Sequence, residues 1–141
     1  MNAPAPRLRL GAWRLLAVTL AGPLVGALVY VVVSLLAQLP QVTFEDVVEM
    51  GGFMLVVGWM LGLVPAAVSA LVVRFLGLAA DAPRRLVEAM AIGALSAVVA
   101  LPIILPVLFG LTMPPIEVVL LFGLCGAVAF CATALPGLRV G

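Results

Sequence analysis

The chain has 141 residues, of which 66% are hydrophobic and only 9% are charged. A soluble domain is nearer to half apolar and a quarter charged, so this composition excludes an ordinary water-exposed surface. The net charge of +1 points to neither an acidic nor a basic partner, and no basic patch indicates nucleic acid. The composition predicts an integral membrane protein in contact with the lipid bilayer.

The first part of the chain, "MNAPAPRLRLGAW", is rich in proline and predicts a disordered cytoplasmic N-terminus over residues 1–13. Residues 14–141 then form one transmembrane domain. Its first span, about residues 15–37, is a largely apolar run of 23 residues without a charge. That is longer than the roughly 7–15 apolar residues of a signal peptide, so we expect an uncleaved membrane helix.

Three further apolar stretches follow, and each reaches the roughly 20 residues that a helix needs to cross a membrane. They cover about residues 51–75, 86–110 and 116–136. Thr43 and Asp46 fit the S/T-x-x-D/E pattern of a helix start, which predicts that the second helix begins near Phe44. Prolines inside the spans are tolerated because unpaired backbone groups are so costly in hydrocarbon that the chain keeps its helical hydrogen bonds.

The charged residues predict which side of the membrane each segment occupies. All seven basic residues are arginines that fall on one side of the four spans, whereas the other side has only acidic residues. Under the positive-inside rule both termini and the middle loop are cytoplasmic (N-in/C-in). Basic residues that are all arginine suggest a bacterial genome rich in G and C, hence a bacterial inner membrane.

Each span carries small residues four positions apart, and such grooves let helices approach closely in lipid. We therefore expect an all-α, antiparallel bundle of four transmembrane helices, with Gly26 near Gly62 and Gly22 near Ala66. The alternative is that one stripe faces a second copy or another membrane protein. The predicted packing residues are Gly22, Gly26, Gly58, Gly62, Ala66, Ala70, Ala89, Gly93, Ala97, Gly123, Ala127 and Cys131.

These small residues lie mostly in the inner part of the membrane, and bulkier residues lie in the outer part. The pattern predicts a tight inner waist and helices that spread towards the outside. Spreading would leave a gap between the helices in the outer half of the membrane. One possibility is that phenylalanines fill this gap, namely Phe53, Phe109 and Phe122. The other possibility is an apolar pocket with an acidic rim formed by Glu45, Asp46, Glu49 and Glu117.

Ionisable side chains inside a membrane are functional by default, and no span carries one near its centre. Glu88 comes closest, near the inner end of span three, where Arg84 predicts an interfacial ion pair. The alternative for Glu88 is a proton-coupling carboxylate. Cys125 and Cys131 are about 9 Å apart along one helix, beyond the roughly 7 Å limit for a disulfide.

The sequence has no histidine, no phosphate-binding loop and no activated serine or threonine, so we expect no metal, no cofactor and no enzymatic activity. Two functions remain. The first is a structural or accessory subunit that packs against a larger complex through its helix faces. The alternative is a small transporter or channel for a neutral or apolar solute, with its cavity in the outer half of the bundle.

Overall fold

The computed structural model describes residues 7–38, 43–110 and 114–140. It contains four helices in two consecutive pairs, with a short strand before, between and after the pairs. The helices are α1 (Ala12–Gln38), α2 (Phe44–Leu76), α3 (Ala82–Phe109) and α4 (Ile116–Ala134). The strands are β1 (Arg7–Leu10), β2 (Leu78–Ala79) and β3 (Leu138–Val140).

All four helices are long and apolar enough to cross a membrane. The first three begin before the predicted spans because the polar residues beside each span join the helix. α2 begins at Phe44, as the pattern around Thr43 predicts. α3 begins after Asp81, whose carboxylate accepts a hydrogen bond from the Arg84 backbone N–H at 3.4 Å and caps the helix.

The helices pack as an antiparallel four-helix bundle. The two consecutive pairs, α1 with α2 and α3 with α4, make the most extensive contacts. α1 and α4 close the bundle on one side, and the contact between α2 and α3 is the least extensive of the four. The seam between α2 and α3 is thus the most open side of the bundle.

Side-chain size is distributed in the opposite way to a soluble bundle. Alanine is the most frequent buried residue, followed by valine, whereas large apolar side chains, above all leucine and valine, cover the outside. Along α1, for example, Leu16, Leu20, Leu24 and Leu28 are all exposed. Large apolar side chains facing outward fit a hydrocarbon solvent, and small ones inside let the backbones approach.

A three-stranded sheet covers one end of the bundle, and the sequence analysis did not foresee it. β1 lies between β2 and β3 and pairs antiparallel with both, with Leu8 opposite Leu78 on one side and Val140 on the other. Both terminal strands and the α2–α3 connection therefore lie at the same end of the molecule. We call this the sheet end.

Strand β1 occupies residues that were expected to be disordered, so that expectation was wrong for Arg7–Leu10; residues 1–6 lie outside the described part of the chain. The strand alternates arginine and leucine. Leu10 is buried, with Leu78, in the core cluster that continues into the bundle, whereas Arg7 and Arg9 stay exposed. Burial of this leucine face explains the order of the segment.

Candidate functional site

The closest backbone approach described in the bundle lies where α3 crosses α4. A methyl group added at Gly93 would sit 2.6 Å from the Gly126 carbonyl oxygen, and one added at Gly126 would sit 2.7 Å from the Gly93 carbonyl oxygen. Both distances are well inside van der Waals contact, so only glycine fits at either position. Gly126 was not among the predicted packing residues, although its spacing of three from Gly123 offered a signal.

The pair α1 and α2 meets through a different set of contacts from the one predicted. A methyl group added at Gly22 would lie 3.8 Å from the Ala66 methyl carbon, so these two residues are neighbours as expected. The predicted contact of Gly26 with Gly62 is wrong, because a Cβ at Gly62 would meet Pro23 at 2.8 Å and Gly26 instead faces α4. The proline ring projects from α1 and takes the space that a glycine pair would have filled.

None of the twelve predicted packing residues is exposed; all are buried or half-buried. A methyl group added at Gly58 would lie 3.0 Å from Ala27, and one added at Gly123 would lie 2.7 Å from Val98, in each case on a neighbouring helix. Ala70 and Ala89 belong to the core cluster, and Cys131 packs against that cluster. The stripes therefore lie against neighbouring helices of the same chain.

One cavity lies at the centre of the bundle, between all four helices, with a volume of about 50 Å³. It lies at mid-depth, among the small residues, and not in the outer half where the sequence analysis placed a possible pocket. Its lining includes Gly22, Gly62, Ser69, Gly93, Phe122 and Gly126. The space is large enough for a water molecule but far below the few hundred Å³ of a ligand pocket.

The predicted acidic rim does not line this cavity. Glu45, Glu49 and Glu117 are exposed, and the side chain of Asp46 lies outside the described residues. Phe53 points outward with 70% of its surface exposed, so it does not fill the outer gap, and the Phe109 side chain is also outside the described part. Phe122, the third phenylalanine, contributes to the central cavity instead.

The hydroxyl groups inside the bundle bond to their own helices. Ser69 donates to the Pro65 carbonyl at 2.8 Å, and Thr19 and Thr133 donate to the carbonyls four residues earlier. Such bonding to the carbonyl four residues earlier is usual for serine and threonine inside helices. The Ser69 hydroxyl proton is thereby used, and the cavity wall beside it is apolar.

Trp59 connects α2 to α1 by a hydrogen bond that crosses between helices. Its indole Nε1–H donates to the Leu20 carbonyl oxygen at 3.0 Å, one turn before Pro23. An indole N–H removed from water needs a hydrogen-bond partner, and the fold supplies it from the neighbouring helix. The Leu20 carbonyl lies next to that of Thr19, which Pro23 leaves without its helix N–H.

At the sheet end Glu88 holds two elements together. Its carboxylate lies 3.5 Å from the Arg84 guanidinium, which is the predicted ion pair, and it also accepts the Ala79 backbone N–H at 2.8 Å. The second contact ties strand β2 to helix α3 and was not predicted. Arg7 binds the other side of the same connection, donating to the Leu76 carbonyl at 3.1 Å.

A shallow groove of about 320 Å³ opens at the sheet end, beside the C-terminal end of α2. It is lined by Arg9, Leu10, Arg74 and Phe75. Among the described side chains, neither Arg9 nor Arg74 has an acidic partner. Within the described residues, no three histidine, cysteine or carboxylate side chains come together as a metal site would need. Two arginines at an open groove can bind an anion but supply no nucleophile or base.

Neither a protein-family model, nor a curated protein, nor a solved structure matches this chain. The fold defines a bundle of four apolar helices, each able to cross a membrane, closed at one end by a small sheet.

Proposed function

We propose that this chain is a small polytopic protein of the bacterial inner membrane that serves as a structural or accessory subunit. It binds other membrane proteins through the outer faces of its helices. The role of its core is to hold these helices in fixed positions relative to one another. Both termini, and with them the sheet end, lie in the cytoplasm.

Membrane placement is supported by the outer surface of the bundle. Every helix carries exposed large apolar side chains, most of them leucine or valine. In water such a surface would cause aggregation, whereas in hydrocarbon it is the solvated side of the protein.

Orientation is supported by the distribution of charge. The arginines on the first strand and around the α2–α3 connection gather at the sheet end, and the exposed Glu45, Glu49 and Glu117 lie at the opposite end. Positive residues are retained on the cytoplasmic side during insertion, which favours a cytoplasmic sheet end.

The observation that carries the accessory role is the small volume left inside the bundle. Glycine contacts bring the helices close at their crossings, the central cavity measures only about 50 Å³, and among the described residues that line it the Cys125 thiol is the only ionisable side chain. The core cluster continues from the bundle into the sheet, so packed side chains stand between the cavity and the sheet end. A transported solute would need a larger path, so the surface available for function is the outside of the helices.

Orientation is tested with a reporter enzyme that is active only in the periplasm. Fused after Gly141 it should stay silent, and inserted in the α1–α2 connection after Gln38 it should be active. The reverse pattern would show that the sheet end faces the periplasm.

The accessory role is tested by placing tryptophan on each outer face in turn, at Leu24, Val56, Leu95 and Leu124, which are all exposed. The tagged protein is extracted from native membranes in mild detergent, and the amount of any stoichiometric partner is measured. We expect tryptophan on one face to lower the partner yield and tryptophan on the others to leave it unchanged.

Two results would contradict the accessory role. One is recovery of the chain with no stoichiometric partner. The other is a saturable flux of a neutral solute through proteoliposomes that contain the purified protein alone, which would favour the transporter alternative.

A further inference from the structure

We propose that the groove at the sheet end binds the phosphate headgroup of an anionic phospholipid, and that Arg9 and Arg74 are its ligands. This inference rests on the proposed membrane placement but not on the accessory role.

The first observation is the state of the arginines at the sheet end. Arg7 donates to the C-terminal carbonyls of α2, Arg84 pairs with Glu88, and Arg85 donates to the Ala80 carbonyl at 3.4 Å. Among the described arginine side chains, three are left without a hydrogen bond or ion pair: Arg9, Arg14 and Arg74. Two of these three line the same groove.

The carboxylates nearby are not free to neutralise the groove. Asp81 caps helix α3, and Glu88 is held by Arg84 and by the Ala79 N–H. The pair of guanidinium groups is therefore an uncompensated positive site. Guanidinium groups match phosphate oxygens in geometry, and each can donate two parallel hydrogen bonds.

The second observation is the apolar surface that leads away from the groove. Phe75 forms part of the groove wall, and Leu71, Val68 and Val64 continue from it along one exposed face of α2. These four residues are three or four positions apart, so they form one stripe. Eleven residues of helix rise by about 16 Å, close to the half-thickness of about 15 Å of a bilayer's hydrocarbon core.

The groove and the stripe together have the two parts of a phospholipid site. The arginines lie where the apolar helix α2 ends, which is the level of the lipid headgroups in the proposed placement. The stripe is as long as one leaflet is deep, so an acyl chain can lie along it. A free phosphate ion would use the arginines but not the stripe. Anionic lipids in the cytoplasmic leaflet attract basic residues at this position.

The test uses the full chain purified in detergent. Its thermal unfolding midpoint is followed while phosphatidylglycerol, phosphatidylcholine or inorganic phosphate is added. We expect phosphatidylglycerol alone to raise the midpoint in a saturable way. Arg9→Gln and Arg74→Gln should each raise the half-saturating lipid concentration about tenfold, the effect of losing one charged hydrogen-bonding group. Arg74→Lys, which keeps the charge but loses the planar fork, should lie between Arg74→Gln and the unmodified protein.

Arg14→Gln is the matched control, because it removes the same charge from an exposed arginine that does not line the groove. An equal loss of lipid response in Arg14→Gln would mean a diffuse electrostatic effect and would overturn the site. An equal response to phosphatidylcholine or to inorganic phosphate would overturn it as well. If Arg74→Gln does not fold, Arg9→Gln and Arg74→Lys carry the same comparison.

The same preparation separates this inference from the membrane placement on which it rests. Recovery of the chain in the soluble fraction would contradict membrane placement itself. A membrane-extracted protein with no preference for phosphatidylglycerol would contradict the lipid site alone.

Discussion

Replacing Gly126 by alanine tests whether the α3–α4 crossing holds the bundle together. The new methyl carbon would lie 2.7 Å from the Gly93 carbonyl oxygen and 2.7 Å from the Ala97 methyl carbon, whereas ordinary contact begins at 3.4 Å. The helices must therefore separate locally by about 0.7 Å, and a gap of that size forfeits a quarter to a half of the dispersion energy of the contacts around it. We expect a loss of about 1–3 kcal/mol in the free energy of unfolding, typical of an overpacked core.

The assay is equilibrium unfolding in mixed micelles, followed by circular dichroism, with two glycine controls. Gly26→Ala adds a methyl group at 3.4 Å from its neighbour, which is an ordinary contact, and Gly52→Ala adds one where nothing lies within 4 Å. Both controls should change stability by less than about 1 kcal/mol, and alanine's better helix propensity opposes any loss. If Gly126→Ala were as stable as Gly52→Ala, the crossing would not be a tight contact and the argument from it would fail.

Three further predictions concern single contacts. Glu88→Ala should cost about 1–2 kcal/mol and speed hydrogen exchange at the Ala79 amide, because that N–H loses its acceptor; unchanged exchange would show that the carboxylate does not hold β2. Trp59→Phe should cost about 0.5–1.5 kcal/mol in the same unfolding assay, and Trp13→Phe, at a side chain 80% exposed, should cost nothing measurable; equal effects would argue against the interhelical bond. Leu10→Ala should cost about 2–5 kcal/mol because this leucine is 3% exposed in the core cluster, and a loss below 1 kcal/mol would mean that the sheet does not stabilise the bundle.

The sequence suggests an internal duplication at an offset of 71 residues, where Arg14 aligns with Arg85 and Gly22 with Gly93. The starts of α1 and α3, at Ala12 and Ala82, are one residue short of that offset. The later match of Pro65 with Pro136 does not correspond in position, because Pro65 lies inside α2 and Pro136 lies in the 3-10 turn after α4.

The sequence by itself determined the number, approximate limits and type of the helices. Composition and run length decide these because a chain that is 66% hydrophobic must bond its backbone internally wherever it meets hydrocarbon. It also indicated which residues turn inward, since small residues four positions apart mark a helix face. The Arg84–Glu88 pair followed from local spacing along one helix for the same reason.

The tertiary structure alone decided which inward residues touch. Helix rotation and depth are set by how whole faces fit, so the ring of Pro23 displaced the expected Gly26–Gly62 contact, and Gly126 rather than Ala127 met Gly93 most closely. The sheet also depended on distant partners. Strand β1 is ordered because β2 and β3, which are distant along the chain, supply its hydrogen bonds and because Leu10 packs into the core cluster, and no local pattern carries that information.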